Sequence, residues 1–176
     1  MKPDFKKILF DSSKLTIDIA AETVGNNPEY FKEVLNFASA EKSPLNMRAS
    51  RVIVSVCEKY PGLFLPYVNI TAEKFRKFKT DGQKRAFAYI LSKYAENIEE
   101  NNRAGLIDVC FDYMFSNEKV AVKYNCLILL FEFTKIYPEL KNELLAAIDF
   151  NLTEGIFKLS GMIKRIYGAL NENLTS

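Results

Sequence analysis

Residues 45–68 read LNMRASRVIVSVCEKYPGLFLPYV, and residues 122–148 read VKYNCLILLFEFTKIYPELKNELLAAI. Each stretch begins with a long segment whose apolar residues follow the spacing of one helix face. In the first stretch Leu45, Val52, Val56 and Tyr60 recur at intervals of seven or four positions. A Tyr-Pro pair then interrupts the pattern before a second apolar segment begins. The same helix-turn-helix pattern therefore occurs at least twice in the chain.

The spacing of the two copies indicates a repeat. Tyr60-Pro61 and Tyr137-Pro138 lie 77 positions apart, which is about twice 38. Between them, the segment QKRAFAYILSKYAEN at residues 83–97 has the same pattern without the proline. A period of about 38 residues is close to the ~40-residue period of HEAT and armadillo arrays.

Signals for helix boundaries divide the chain into about nine helices. Ser13 precedes one apolar segment and Gly25 ends it, and Ser43-Pro44 precedes another. Serine caps helix N-termini, and glycine is favoured just past a helix end. Pro66 lies inside a helical segment, so we expect a kink or a split helix there. No segment has the strict alternation of a half-buried strand.

These patterns predict an all-α fold, a right-handed α-α superhelix of HEAT/armadillo-like helical hairpins. A single helix pair cannot bury its apolar face alone, so stacked pairs share one core and present an extended concave surface. No connection is long enough to separate two domains. We therefore expect residues 1–176 to form a single HEAT-like helical repeat domain.

Four segments carry a resemblance to a known family: EKYPGLFLPYV (58–68), GQKRAFAYILSKY (82–94), EKVAVKYNCLILLFEFTKIYPELKNEL (118–144) and GIFKLSGMIKRI (155–166). They resemble a bacterial family of small HEAT-like repeat proteins that has no firmly assigned activity. The resemblance covers most of the chain from about Asn26 onward and brings no catalytic motif. Chains of this kind sometimes carry the label adenylosuccinate lyase. That enzyme family is much longer and relies on histidine and a characteristic serine loop, which this sequence lacks.

Composition excludes several classes of function. The chain has 176 residues, 48% of them hydrophobic, and a formal net charge of +2, which gives no global case for nucleic acid or an anionic membrane. No window approaches the ~20 apolar residues of a membrane span, and the N-terminus has no signal-peptide core. The three cysteines lie far apart in apolar runs, as in a reducing compartment. We expect a cytoplasmic protein that does not enter a membrane.

The sequence also argues against catalysis. It contains no histidine, which removes the commonest general base at neutral pH and the commonest transition-metal ligand. No glycine-rich dinucleotide or phosphate-binding loop and no Cys-x-x-Cys motif occurs. We therefore predict a protein that is not an enzyme and has no metal site and no cofactor.

A row of basic residues is the candidate binding surface. We predict that the binding residues are Arg48, Lys84, Arg85, Lys123 and Lys158. Arg48 and Arg85 are 37 positions apart, and Arg85 and Lys123 are 38 apart, which matches the repeat. Equivalent positions of a solenoid line up along one surface, where such a row can hold phosphates or an acidic peptide.

A structural interpretation of the same row stays open. In it, each basic residue pairs with an acidic or amide group of its own or the next repeat. Glu41, Asp81, Glu118 and Glu154 lie a few residues upstream of members of the row. The nearby aromatic residues are likewise candidates either for ligand stacking or for the core; they are Phe87, Tyr89, Tyr94 and Tyr124.

Two functions fit these features. The first is a non-catalytic scaffold that binds a protein or peptide segment on its concave face. The alternative is a nucleic-acid backbone binder related to HEAT-like DNA glycosylases, which act on alkylated bases. The sequence leaves the identity of the partner and the oligomeric state open.

Overall fold

The computed structural model describes residues 2–40 and 42–172, and within those ranges it contains ten α-helices and no strand. The helices are α1 (Phe5–Ile8), α2 (Lys14–Val24), α3 (Pro28–Ser39), α4 (Leu45–Lys59), α5 (Val68–Lys74), α6 (Asp81–Ser92), α7 (Glu100–Phe115), α8 (Val120–Ile136), α9 (Lys141–Thr153) and α10 (Gly161–Glu172). The predicted all-α class is confirmed. The short helix α1 is the one that the count of about nine did not include.

Local side-chain chemistry explains several helix boundaries. The Ser13 hydroxyl accepts a hydrogen bond from the Thr16 N–H at 3.1 Å, and Gly25 ends α2 with a φ of 49°. Thr80 and Gln83 form a reciprocal capping box at the start of α6. Ser43 does not cap α4, because Pro44 holds the cap position; the Ser43 hydroxyl donates to the Met47 sulfur at 3.7 Å.

The turn after each of three helices has the same form. Short 3₁₀ turns follow α4, α6 and α8, at Pro61–Leu63, Ala95–Asn97 and Pro138–Leu140. The turn without proline therefore repeats the geometry of the two that contain it. A further 3₁₀ turn at Leu65–Tyr67 contains Pro66 and delays the start of α5 to Val68, which confirms the expected split.

The helices pack in two layers. Helices α2, α4, α6 and α8 contact one another in sequence and form what we call the first layer. Helices α5, α7 and α9 contact one another in the same way, and with α3, which packs on α4, they form the second layer. The two layers close over one buried cluster of apolar side chains that runs from Phe5 to Leu170.

One buried polar position recurs in the first layer. Asn46, Gln83 and Lys123 lie near the N-terminal ends of α4, α6 and α8 and are at most 1% exposed. Asn46 and Gln83 donate to the Ala40 carbonyl at 3.1 and 2.9 Å, just beyond the end of α3. Lys123 donates to a carbonyl at the end of α7. Each repeat thus satisfies carbonyls that a helix end leaves without an intrahelical partner.

Candidate binding groove

A groove follows α4 and α6 along the first layer. It consists of two clefts of about 390 Å³ each, which share Val54 and Tyr89. The cleft nearer the N-terminal ends of the two helices has Arg51 and Arg85 in its lining. The other cleft extends toward their C-terminal ends, as far as Glu58. Because the clefts share two residues, they adjoin each other along α4 and α6, and we call them together the groove.

The first of these, which we call the cationic cleft, draws its polar lining from all four helices of the first layer. Its lining contains three cations, Lys14, Arg51 and Arg85, and a single carboxylate, that of Asp18. Arg51 donates through Nη1 to the Ser12 carbonyl at 2.5 Å, which holds the side chain in place and leaves its other donors available. Arg85 is exposed and makes no hydrogen bond or ion pair within the described part of the chain.

The second, which we call the tyrosine cleft, has its polar groups engaged with one another. The Tyr89 hydroxyl donates to Glu58 Oε1 at 3.1 Å, and the Lys93 ammonium lies 5.0 Å from the centre of the Tyr89 ring. The Tyr94 hydroxyl donates to the Pro61 carbonyl at 2.7 Å. Val54 and Ile90 supply apolar wall between these groups. The groove therefore changes along its length from a cleft with net positive charge to one in which Glu58 and Lys93 balance each other.

The Cys57 thiol and the Tyr94 hydroxyl, the two groups of the tyrosine cleft that could act as nucleophiles, stay protonated at neutral pH. Burial raises the pKa of the Cys57 thiol to about 12, and the neighbouring Glu58 carboxylate acts in the same direction. Burial also raises the pKa of Tyr94 to about 12. A thiol with such a pKa is a poor nucleophile, because the thiolate is the reactive form. Among the described residues, no group of three or more Cys, Asp or Glu side chains is placed to hold a metal ion.

Comparison with known protein families identifies the family of this chain. A family model described as HEAT repeat domain matches residues 6–165. The chain belongs to the HEAT repeat domain family. No curated protein and no solved structure matches it. The two layers of helices are thus those of an all-α HEAT-like repeat fold. None of the HEAT helices in the described ranges combines the length and apolar character needed to cross a lipid bilayer.

Three of the predicted binding residues are engaged within the HEAT array. Arg48 donates through Nη1 to the carbonyls of Leu9 and Phe10, at 2.9 and 2.7 Å. Lys84 forms an ion pair with Glu118, with both side chains less than a fifth exposed. These contacts join one HEAT repeat to a neighbouring one.

Lys123 is the most buried of the predicted binding residues, at 1% exposure. Its ammonium donates to the Met114 carbonyl and to Asn151 Oδ1, both at 3.0 Å. Burial lowers the pKa of Lys123, and the nearby Glu118 carboxylate opposes that shift. These contacts put the ammonium in the core of the HEAT array and give a ligand no access to it.

Arg85 and Lys158 are exposed, but they lie at different places. Arg85 lines the cationic cleft, whereas Lys158 lies between α9 and α10 at an apolar cleft with Val120 and Tyr124. The structure therefore brings Arg85 together with Arg51 and Lys14, and it does not bring the five predicted residues into one row. A binding role for Arg85 and Lys158 stays a prediction.

The acidic residues suggested as ion-pair partners of the basic row differ in their contacts. Glu118 pairs with Lys84 of the preceding HEAT repeat, whereas Asp81 and Glu154 are exposed and form no ion pair with any residue that the structure describes. Glu41 lies outside the described residues.

The aromatic residues near the basic row differ in burial. Phe87 is fully buried and stacks on Phe78, with ring centres 4.5 Å apart. Tyr94 is also buried, whereas Tyr89 and Tyr124 are half-buried.

Sequence reasoning missed Asn125 because it assumed an even spacing, and it missed Lys14 and Asp18 because they lie on α2, where it placed no member of the basic row. The buried residues Ile53, Ile90 and Leu130 hold equivalent places in α4, α6 and α8, so the interval is 37 positions and then 40. With that spacing, Asn125 and not Lys123 corresponds to Arg85, and both line the cationic cleft. The apolar pattern of α8 contains this signal, whereas the spacing of charges does not.

Proposed function

We propose that this HEAT repeat domain, residues 1–176, is a non-catalytic scaffold. It binds a segment of another protein in the groove along α4 and α6, on what we assign as the concave side of the array. The observation that carries the proposal is that the two clefts adjoin each other, with Val54 and Tyr89 in the lining of both. Three unpaired cysteines accord with a cytoplasmic location.

The dimensions of the groove suit an extended segment. Arg51 and Glu58 are seven residues apart on α4, which corresponds to about 10 Å along a helix axis. An extended chain advances about 3.3 Å per residue, so about three or four residues lie along this length. Two clefts of about 390 Å³ each then receive alternate side chains of such a segment.

The chemistry of the lining supports binding rather than catalysis. Cys57 and Tyr94 both have a pKa of about 12, so neither supplies a thiolate or phenolate at neutral pH. The hydroxyl of Tyr89 is already hydrogen-bonded to Glu58. These groups orient and pack against a bound segment, and they do not form an acid–base pair aimed at a substrate atom.

Photocrosslinking from a single position tests the proposal. Lys93 is exposed and lines the tyrosine cleft, so a benzoylphenylalanine placed there reaches a bound segment without filling the middle of the groove. We expect irradiation in lysate to yield a crosslinked protein of defined mass. The matched control carries the same photoreactive residue at Lys74, which is exposed on α5 and lies outside the groove. Products that are equal at both positions, or absent at position 93, would contradict the proposal.

A nucleic-acid backbone is the second candidate, and Lys14, Arg51 and Arg85 in one cleft are the observation that favours it. It has less support, because Arg48, Lys84 and Lys123 are bonded within the chain and do not extend the cationic surface. Phosphate contacts make affinity fall steeply with salt. Fluorescence anisotropy with a labelled 20-base-pair DNA duplex across a salt series tests it, and we expect no binding even at low salt.

A further inference from the structure

We propose that the protein segment bound in the groove is acidic at one end. Its carboxylates meet Lys14, Arg51 and Arg85 in the cationic cleft, and an apolar side chain that follows them packs between Val54 and Tyr89. This inference rests on the proposed function and adds the chemistry and the orientation of the bound segment.

The net charge of the cationic cleft favours an acidic segment. Three cations and one carboxylate line the cationic cleft, so its local charge is positive although the whole chain carries only +2. Arg85 is exposed and without an ionic partner in the described part of the chain. The positive charge is therefore available to a ligand, unlike that of Lys84, which Glu118 neutralises.

The two arginines of the cationic cleft favour carboxylates as the groups that bind there. A guanidinium presents a planar array of donors that matches a carboxylate in a bidentate geometry. Arg51 is held by its bond to the Ser12 carbonyl, so binding a carboxylate costs it less side-chain entropy than a free surface arginine would lose. Arg51 and Arg85 lie on adjacent helices of one cleft and are positioned to contact neighbouring carboxylates of one chain.

The change in character along the groove distinguishes a peptide from a nucleic acid. Beyond Val54 and Tyr89 the tyrosine cleft contains one carboxylate, Glu58, one ammonium, Lys93, and apolar wall from Ile90. A phosphate chain carries negative charge at every step, and this second cleft offers it no net positive charge. A peptide can change from acidic to apolar within two residues, so it complements both halves of the groove.

Selection from a phage-displayed library of random 12-residue peptides tests the inference on the full chain. We expect enrichment of sequences with two or more Asp or Glu residues next to an aliphatic or aromatic residue. The strongest peptide is then synthesised with a fluorescent label, and its affinity is measured by anisotropy. The Arg85→Glu variant is expected to lose about tenfold or more in affinity.

Three further variants make this result specific. Lys74→Glu has the same change of residue charge at an exposed position on α5, outside the groove, and it should bind the peptide as the wild type does. Arg85→Lys keeps the charge but loses the bidentate geometry, so its loss should be smaller than that of Arg85→Glu. Val54→Arg fills the middle of the groove and should also abolish binding. Circular dichroism melts establish that all variants are folded.

The outcomes separate this inference from the proposed function. Selected peptides that are not acidic, but that lose affinity in Val54→Arg, would overturn the acidic segment and leave the groove as the binding site. Peptides that bind all variants equally, or no selected peptide at all, would overturn both. A labelled DNA duplex that binds more tightly than any peptide and depends on Arg85 would overturn both in favour of nucleic acid.

Discussion

At the residue scale, the buried ammonium of Lys123 is the most demanding feature of the molecule. Its two acceptors are the Met114 carbonyl and Asn151 Oδ1, and Asn151 Nδ2 in turn donates to the same Met114 carbonyl at 2.9 Å. Burying a charge is costly unless hydrogen bonds compensate for the lost hydration, and these two acceptors supply that compensation for two of the three N–H donors. Asn151 therefore stabilises the junction between α7, α8 and α9 by supplying one acceptor and one donor.

The Asn151→Leu substitution tests this arrangement. It leaves the Lys123 ammonium with one acceptor, so we expect the free energy of unfolding to fall by ~1.5–3 kcal/mol or more. Adding Lys123→Met should recover part of that loss, because replacing both partners by apolar groups leaves no buried charge unsatisfied. Urea denaturation of the two single variants and the double variant measures the coupling. Asn171→Leu, an exposed control, should stay within ~0.5 kcal/mol. Strictly additive losses would contradict this account.

Because the pKa of Cys57 is raised in the folded protein, the free energy of unfolding depends on pH in the alkaline range. In the folded protein burial raises that pKa from 9.0 to about 12. Above pH 9 the unfolded chain loses the thiol proton while the folded chain keeps it, so the free energy of unfolding falls as pH rises from 9 toward 12. Between pH 8 and pH 10 this one group lowers stability by ~1 kcal/mol.

The Cys57→Ala variant isolates this contribution. Lys123 has a lowered pKa and contributes in the opposite sense, but it does so equally in both proteins. We therefore compare the change in unfolding free energy between pH 8 and pH 10 in urea titrations. The variant should lose ~1 kcal/mol less than the wild type over this interval. Parallel pH profiles would show that the Cys57 thiol ionises in the folded protein as it does in the unfolded chain.

At the element scale, α8 is a helix that is packed on several sides. It packs against α6, α7 and α9, and it buries side chains on more than one side, among them Val122, Leu127, Leu130 and Phe133. A helix that is apolar all round is one surrounded by others. This explains why the sequence from Leu127 to Phe133 lacks a clear polar face.

The Leu130→Ala substitution measures the packing of this helix. Leu130 is fully buried, so its truncation leaves a cavity and should cost ~2–5 kcal/mol of unfolding free energy. The same change at Leu159, which is 58% exposed, should alter stability by ~0.5 kcal/mol or less. Thermal and urea denaturation measure both. Equal melting curves for the two variants would mean that α8 is not packed as described.

The elements themselves were largely predictable from sequence, since each depends on local chemistry. Ser13 caps α2, Gly25 ends it, and Pro66 splits the segment before α5. The start of α4 was less predictable, because the Ser43 hydroxyl has two local options and contacts Met47 instead of the backbone. The four-residue helix α1 is too short for a periodic apolar pattern, and it is stabilised by the capping carboxylate of Asp4 and by the burial of Phe5.

At the scale of the whole molecule, the array stacks helices so that the central ones are covered on both sides. Helix α6 lies between α4 and α8, whereas α1 contacts mainly α2 and α10 contacts mainly α9. In a repeat array each unit contacts only its neighbours, so stability is distributed unevenly along the chain. Ends open more readily than centres.

Hydrogen exchange followed by mass spectrometry tests this distribution. Amides of α6 and α8 should exchange only through global unfolding, with the free energy that urea denaturation gives. Amides of α1 and α10 should exchange faster, through local opening that leaves the centre intact. Uniform protection of all helices would instead mean that the array unfolds as a single cooperative unit.

A variant in which Lys84, Arg85 and Lys123 are all replaced by Glu would not separate an effect on binding from an effect on the fold. Lys84→Glu replaces an ion pair with Glu118 by repulsion, and Lys123→Glu puts a carboxylate against the Met114 carbonyl in the core. Loss of binding in that variant would follow from loss of the fold. Arg85 alone separates binding from stability, because it is exposed and without an ionic partner in the described ranges.

The sequence by itself determined the class of helical repeat, the position of most helices and the place of the turns, because caps, prolines and apolar periods act within a few residues of one another. Only the tertiary structure decided which cations face outward. Arg85 and Lys123 look alike in the sequence, yet one lines an open cleft and the other is buried among carbonyl and amide oxygens. The physical reason is that the exposure of a side chain depends on which helix packs over it, and that contact joins residues far apart in the chain.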